Sequence, residues 1–141
     1  MRENKTKMQI EEILLIDLQP SQFYLSQEKI DNIKTWFRTE DLSNFEPLPV
    51  KLLNGKLILT DGHTRAFIAY SAGLSKVPLV WESEELDWEA YEKCVDACEE
   101  RGVRAVSDFQ DRILSKEDYA VLWNGWCDTL HNLLRSKGKE Q

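Results

Sequence analysis

The sequence predicts an α+β fold: a small mixed sheet with helices, followed by a C-terminal helical extension. Three observations lead there. Strand-like and helix-like segments alternate over residues 1–83. Within them Asn54-Gly55 separates two apolar runs, the strongest local hairpin signal, because both turn positions need positive φ. Beyond residue 84 the apolar residues recur at helical spacing.

Taken in order, Gln9 to Leu18 holds Ile13-Leu14-Leu15-Ile16 and reads as a strand ended by Gln19-Pro20-Ser21. Ser26 is a good N-cap, and the helix after it places Ile30, Ile33 and Phe37 on one face, with Trp36 beside them. Pro47 and Pro49 bracket the entry into Val50-Lys51-Leu52-Leu53, and Lys56 to Thr60 returns as the hairpin partner. A helix from about Thr64 to Ala72 buries Phe67, Ile68 and Ala72, with Gly73 at its C′ position. Val77-Pro78-Leu79-Val80-Trp81 reads as an edge or entry strand because of its proline.

Asp87 to Arg101 is the next helix, stopped by Gly102. Ser107-Asp108-Phe109-Gln110 matches a capping box, and Ser115-Lys116-Glu117-Asp118 is a looser one. The second opens the longest helix, reaching about Ser136. Glu82-Ser83-Glu84-Glu85 reads as a solvated linker. The expected division is an α+β domain over 1–83 and a helical extension over 84–141 packed on it.

The 141 residues are 42% hydrophobic and 30% charged, which excludes disordered, collagenous and coiled-coil chains. The longest aliphatic run, Ile13–Ile16, is far too short to span a bilayer, and the N-terminus lacks the apolar region of a signal peptide. Three cysteines argue against a disulfide framework and for a reducing cytosol, so a cytoplasmic location is expected. The net charge of -7 is unevenly placed: residues 1–83 carry 10 Lys/Arg and 11 Asp/Glu, residues 84–141 carry 8 and 14. An acidic second half gains little from counterion release, so DNA is not an expected partner there.

The segment that carries chemistry is Thr60-Asp61-Gly62-His63-Thr64-Arg65. A strand ends, a glycine turns the chain, and a helix begins. The first amides of a helix have no internal partner and carry the positive end of its dipole. Gly62 permits close approach to the backbone, and Arg65 adds a bidentate grip on phosphate. His63 is a further donor and, with Asp61, a catalytic candidate. Asp61 is a Mg²⁺ candidate, since such ions sit on one or two carboxylates plus phosphate. The structural alternative is a capped helix whose arginine pairs with a nearby acid.

The ordered set Gln19-Pro20, Pro49-Val50, Asn54-Gly55, Asp61-Gly62-His63-Thr64-Arg65, Ala72-Gly73 and Val77-Pro78-Leu79-Val80 resembles the ParB/sulfiredoxin-like superfamily over roughly residues 9–82. The resemblance implies nucleotide binding at the helix start through Gly62, His63, Thr64 and Arg65. Sulfiredoxins carry Gly-Cys-His-Arg there; this chain has His63 at the cysteine position, so that nucleophile is missing. ParB proper has Gly-Glu-Arg-Arg, of which Gly62 and Arg65 match. The Asp-Gly-His-x-Arg spelling is similar to the ADP-dependent free serine kinase branch, whose base is a glutamate close behind the first proline. Here Pro20 is followed by Ser21-Gln22-Phe23, and the nearest glutamate is Glu28. Asp108 to Arg112 echoes the downstream Glu-Asn-Leu-Gln-Arg of ParB, beside the plainer reading of a capped turn with a surface arginine.

The functional expectation is a protein that binds a nucleoside di- or triphosphate with Mg²⁺, as an NTPase or phosphotransferase. The alternative is a DNA-associated or protein-binding module without catalysis. Family members often dimerise around nucleotide, so a homodimer is one expected form. Two further groups compete with plainer readings. Cys94, Cys98, Cys127 and His131, at i and i+4 on two helices, offer a tetrahedral zinc set, but buried free thiols are the stronger expectation. Trp81 or Trp88 could stack on a base, although core packing is favoured for the aromatic residues.

Overall fold

The structure is a computed structural model that describes residues 13–139. The order of elements is mixed: β1 (Leu25–Ser26), α1 (Gln27–Lys34), β2 (Leu48–Leu53), β3 (Lys56–Leu59), α2 (His63–Ser71), β4 (Leu79–Trp81), α3 (Trp88–Glu100) and β5 (Ile113–Leu114). The chain ends in α4 (Lys116–Tyr119), a π-turn over Ala120–Asn124, and α5 (Gly125–Lys139). The α+β class expected from the sequence is what forms, with small sheets and a C-terminal helix.

The main sheet has the order β3-β2-β4, with β2 antiparallel to β3 and parallel to β4. Asn54 and Gly55 close the hairpin at φ 51° and 79°, the paired positive angles the dipeptide announced. Register sorts the side chains, because strand residues alternate between faces. Val50 pairs with Leu59 and Trp81, and Leu48 with Leu79, so these residues share one face. Leu48, Val50 and Leu59 are fully buried there. Pro49 pairs with Val80, and Thr60 follows on the same side, so the opposite face carries Pro49, Thr60, Val80 and Glu82. That second face is covered by α3: Ile58, Ala90 and Val95 are buried, the Tyr91 hydroxyl donates to the Thr60 carbonyl at 3.0 Å, and Lys56 pairs with Glu99.

Residues on both sides of position 83 share one core. Leu15, Leu18, Phe23, Leu25 and Ile30 pack in the same cluster as Val103, Val106, Phe109, Tyr119 and Trp123. β5 also pairs in parallel with β1, tying the late segment to the early one. Among the described residues no helix is long and apolar enough to cross a membrane.

Several sequence expectations need correcting. Residues 9–12 of the first expected strand lie outside the described residues; of the rest, Leu15–Asp17 forms a 3-10 turn. The reason is spacing: Leu15 and Leu18, three apart, are buried, while Ile16 between them is 49% exposed, so the run never alternates as a strand must. Ser107 caps nothing. The Asp108 carboxylate accepts instead from the Ala105 and Arg104 amides and opens a 3-10 turn at Val106. Ala72 is exposed, while Ala66 and Ala69 face the core. The caps at Ser26 and Ser115 form, accepting from Lys29 and Asp118 amides.

Candidate functional site

The β3–α2 connection sits between two adjoining hollows. Gly62 is the N-cap of α2 at φ 77°, in the left-handed region that glycine adopts without penalty. It offers the helix no side-chain cap. A Cβ there would also fall 2.7 Å from Arg65 Nη2 and 2.8 Å from Leu48 Cδ2. Glycine thus does two things, making the turn and letting the Arg65 guanidinium lie against the start of its own helix. Gly62→Ala should cost roughly 1–3 kcal/mol, from the strained φ plus the clash. Urea melts of wild type and variant would measure it; equal midpoints would mean that the backbone is not held as described.

Arg65 carries the site. Its guanidinium lies 6.0 Å over the Phe45 ring, and Nη2 reaches the Pro47 carbonyl only at 3.5 Å. Its Nε is buried without a hydrogen-bond partner. Among the described residues no carboxylate lies within ion-pair distance of it. Among the described residues, then, no neighbouring acid neutralises this arginine. An uncompensated guanidinium beside an uncapped helix start is an arrangement that favours an anion.

Asp61 is exposed, and its Oδ1 accepts from the Gly62 amide at 2.8 Å. Thr64 is buried at the helix start. His63 departs from expectation. It is 4% exposed and lies edge-on to Phe109, with ring centroids 6.2 Å apart. Its Nε2 accepts from the Ser21 amide at 3.0 Å, so the proton sits on Nδ1 and Nε2 is not free to donate to phosphate. Burial pulls its pKa down to about 4, opposed by Asp61 and reinforced by Arg65. His63 is a neutral positioning residue that pins the Ser21 loop to the helix start.

This has a consequence for stability. The unfolded chain binds the His63 proton below about pH 6.5, whereas the folded chain resists it down to about pH 4. Stability should therefore fall as pH drops through that window, by an amount on the order of 3 kcal/mol once both states are protonated. Melting temperatures measured between pH 7 and 4.5 should decline, with the decline already visible above pH 5, where ordinary carboxylates stay ionised. A flat profile over pH 5–6.5 would contradict a buried neutral His63.

The smaller hollow, about 260 Å³, is bordered by Gly62, Thr64, Arg65, Asp61 and by Lys29 and Asn32 of α1. Its formal charges are two cations against one carboxylate. The larger cleft, about 660 Å³, opens between the outer face of the sheet and the C-terminal helices. Its sheet side presents Pro49, Thr60, Val80 and Glu82; its rim adds Glu46, Asp61 and Glu84. Thr60 Oγ1 donates to Glu82 at 2.7 Å, fixing that carboxylate on the cleft floor. Its helical side is built by Tyr91 and Cys94 of α3, by Trp123 in the π-turn, and by Cys127 and His131 of α5. Asp61, His63, Arg65 and Gln22 border both hollows, so the helix start is the junction between them.

The cysteine set divides. Cys98 is fully buried in the core, while Cys94 and Cys127 face the cleft wall. Burial pushes the Cys94 thiol up to about 12 and the Cys127 thiol up to about 11, and raises Cys98 as well. Zinc needs thiolates, and among the described residues no group of three or more His, Cys, Asp or Glu side chains is placed to hold a metal.

Trp123, rather than Trp81 or Trp88, is the tryptophan in the cleft wall. Trp88 packs under Lys51, whose Nζ lies 4.6 Å over its ring, and against Tyr91. Arg112 borders neither hollow: its Nε donates to the Phe23 carbonyl at 2.6 Å and its guanidinium covers Tyr24 at 4.6 Å. Sequence reasoning missed Lys29, Glu82, Tyr91 and Ser21. Only Trp123, Cys127 and His131, spaced by four, carried a legible signal of a shared helix face.

Comparison with protein-family models, with curated proteins and with solved structures returns no match.

Proposed function

We propose that this chain is a nucleotide-binding protein of ParB/sulfiredoxin-like fold that takes a di- or triphosphate with Mg²⁺, as an NTPase or phosphotransferase of the reducing cytosol. The observation that carries the reading is the uncompensated Arg65 guanidinium against the uncapped start of α2. The polyphosphate goes to the smaller hollow, where Lys29 and Arg65 outnumber Asp61. The larger cleft, with Glu46, Glu82 and Glu84 on its walls, repels it. Asp61 suits Mg²⁺: it is a hard oxygen ligand at the junction, and such an ion needs only one or two carboxylates beside phosphate. The ion would also offset the carboxylates that face the incoming phosphates.

A thermal-shift screen of ribonucleoside di- and triphosphates, with Mg²⁺ and with EDTA, tests this. At a hundredfold excess over Kd a native-state ligand adds about 2.7 kcal/mol, a rise of roughly 5–10 °C. The rise is expected with Mg²⁺ and should largely disappear in EDTA. No rise with any nucleotide would overturn the reading, and an equal rise in EDTA would remove the metal from it.

The second reading, a binding module without catalysis, draws on Val121, Leu122 and Leu133, which are 46–69% exposed on the C-terminal helical segment. A DNA partner would show as a gel shift that weakens steeply with salt.

A further inference from the structure

The two hollows differ in chemistry, and the difference says which part of a ligand each one takes. The smaller is cationic and polar. The larger is acidic on its sheet side and aromatic and apolar on its helical side. Its helical wall comes from two facing stripes: Tyr91 and Cys94, one turn apart on α3, and Trp123, Cys127 and His131, one turn apart on the C-terminal helical segment. Trp123 lies in the π-turn at Ala120–Asn124, a kind of turn frequent at functional sites; it packs on Phe23 and Trp126 and also borders the cleft. Burial raises the pKa of both thiols, so Cys94 and Cys127 add no charge to this wall. A planar apolar group gains there by leaving water and by contact with sulfur and aromatic rings. Hydroxyl groups gain on the opposite side, because carboxylates accept strong hydrogen bonds from them. A further phosphate gains on neither side.

We propose that the larger cleft is a nucleoside subsite. The aromatic base enters between the Tyr91–Cys94 and Trp123–Cys127–His131 stripes, and the sugar hydroxyls donate to Glu82 and Glu84. The phosphates pass over the Asp61–Arg65 junction into the smaller hollow. At about 660 Å³ the cleft is within the usual range for a small-molecule site. The assignment rests on the nucleotide reading above and adds to it where the nucleoside sits: the C-terminal helical segment is part of the ligand site, and this cleft is what distinguishes a nucleotide from a bare polyphosphate.

Calorimetric titration with inorganic tripolyphosphate and with ATP, GTP, CTP and UTP, each with Mg²⁺, tests it. At least one nucleotide should bind ten times or more tighter than tripolyphosphate. Cys127→Phe, which fills the base position, should erase that preference and leave tripolyphosphate binding unchanged. If Cys127→Phe does not fold, His131→Trp at the exposed rim is read in the same way. Tripolyphosphate binding as tightly as every nucleotide would overturn the nucleoside subsite and leave the phosphate site standing. A preference that survives the filling variant would also overturn it. Binding of neither probe would overturn both.

Discussion

Arg65→Ala is expected to weaken Mg²⁺-nucleotide binding by roughly 10- to 100-fold, with the fold retained. The size follows from charge-assisted hydrogen bonds, worth about 1.5–3 kcal/mol, at about 1.4 kcal/mol per tenfold in affinity. The fold should survive because Arg65 contributes little to it: one long contact to Pro47, a 6.0 Å approach to Phe45 and no ion pair among the described residues. Arg65→Lys should recover part of the loss, since it restores charge without the planar fork. Calorimetry on the three proteins, alongside their melting temperatures, measures the effect. Unchanged affinity in Arg65→Ala would sink the assigned role. A collapse in melting temperature would instead show that the arginine is structural.

Phe109→Ala should cost about 3–5 kcal/mol, the usual range for removing a buried phenylalanine and leaving a cavity. Phe109 has no exposed surface, and it meets His63 edge-on at 6.2 Å and Phe67 at 6.3 Å. A loss of that size is a large share of a typical domain stability of 5–15 kcal/mol. The consequence is also functional, because Phe109 backs the imidazole that holds the Ser21 loop to the helix start. Denaturant melts should show a lower midpoint in one cooperative transition, since residues from both halves share the core. Two separate transitions, with only one affected, would mean that the halves fold independently.

Parts of this were legible in the sequence because the local signal and the global fold agree. Asn54-Gly55 specifies its own turn whatever surrounds it, and Ser26 and Ser115 cap helices through bonds only three residues long. Gly62 and Arg65 are four positions from Asp61 at most, so their chemistry is also local. What stayed hidden depends on long-range placement. Lys29 reaches the hollow from α1, and Glu82, spelled as part of an acidic linker, is instead fixed on the cleft floor by Thr60. His63 looked like a donor because its spacing suits one. Its partner is an amide 42 residues away, and no local pattern announces that. Ile13–Ile16 misled for the opposite reason: its composition suits a strand, but Leu15 and Leu18 are the residues the core takes. The Cys-x3-Cys and Cys-x3-His pairs did mark helix faces, but Cys98 lies in the core while Cys94 and Cys127 face the cleft.

The most direct measurement is at the helix start itself. In ¹⁵N-labelled protein titrated with Mg²⁺-nucleotide, the amide resonances of His63, Thr64 and Arg65 should shift in a saturable way, because these are the groups an anion at α2 must meet. Those three resonances staying fixed while the ligand binds, or no resonance moving at any concentration, would contradict the account.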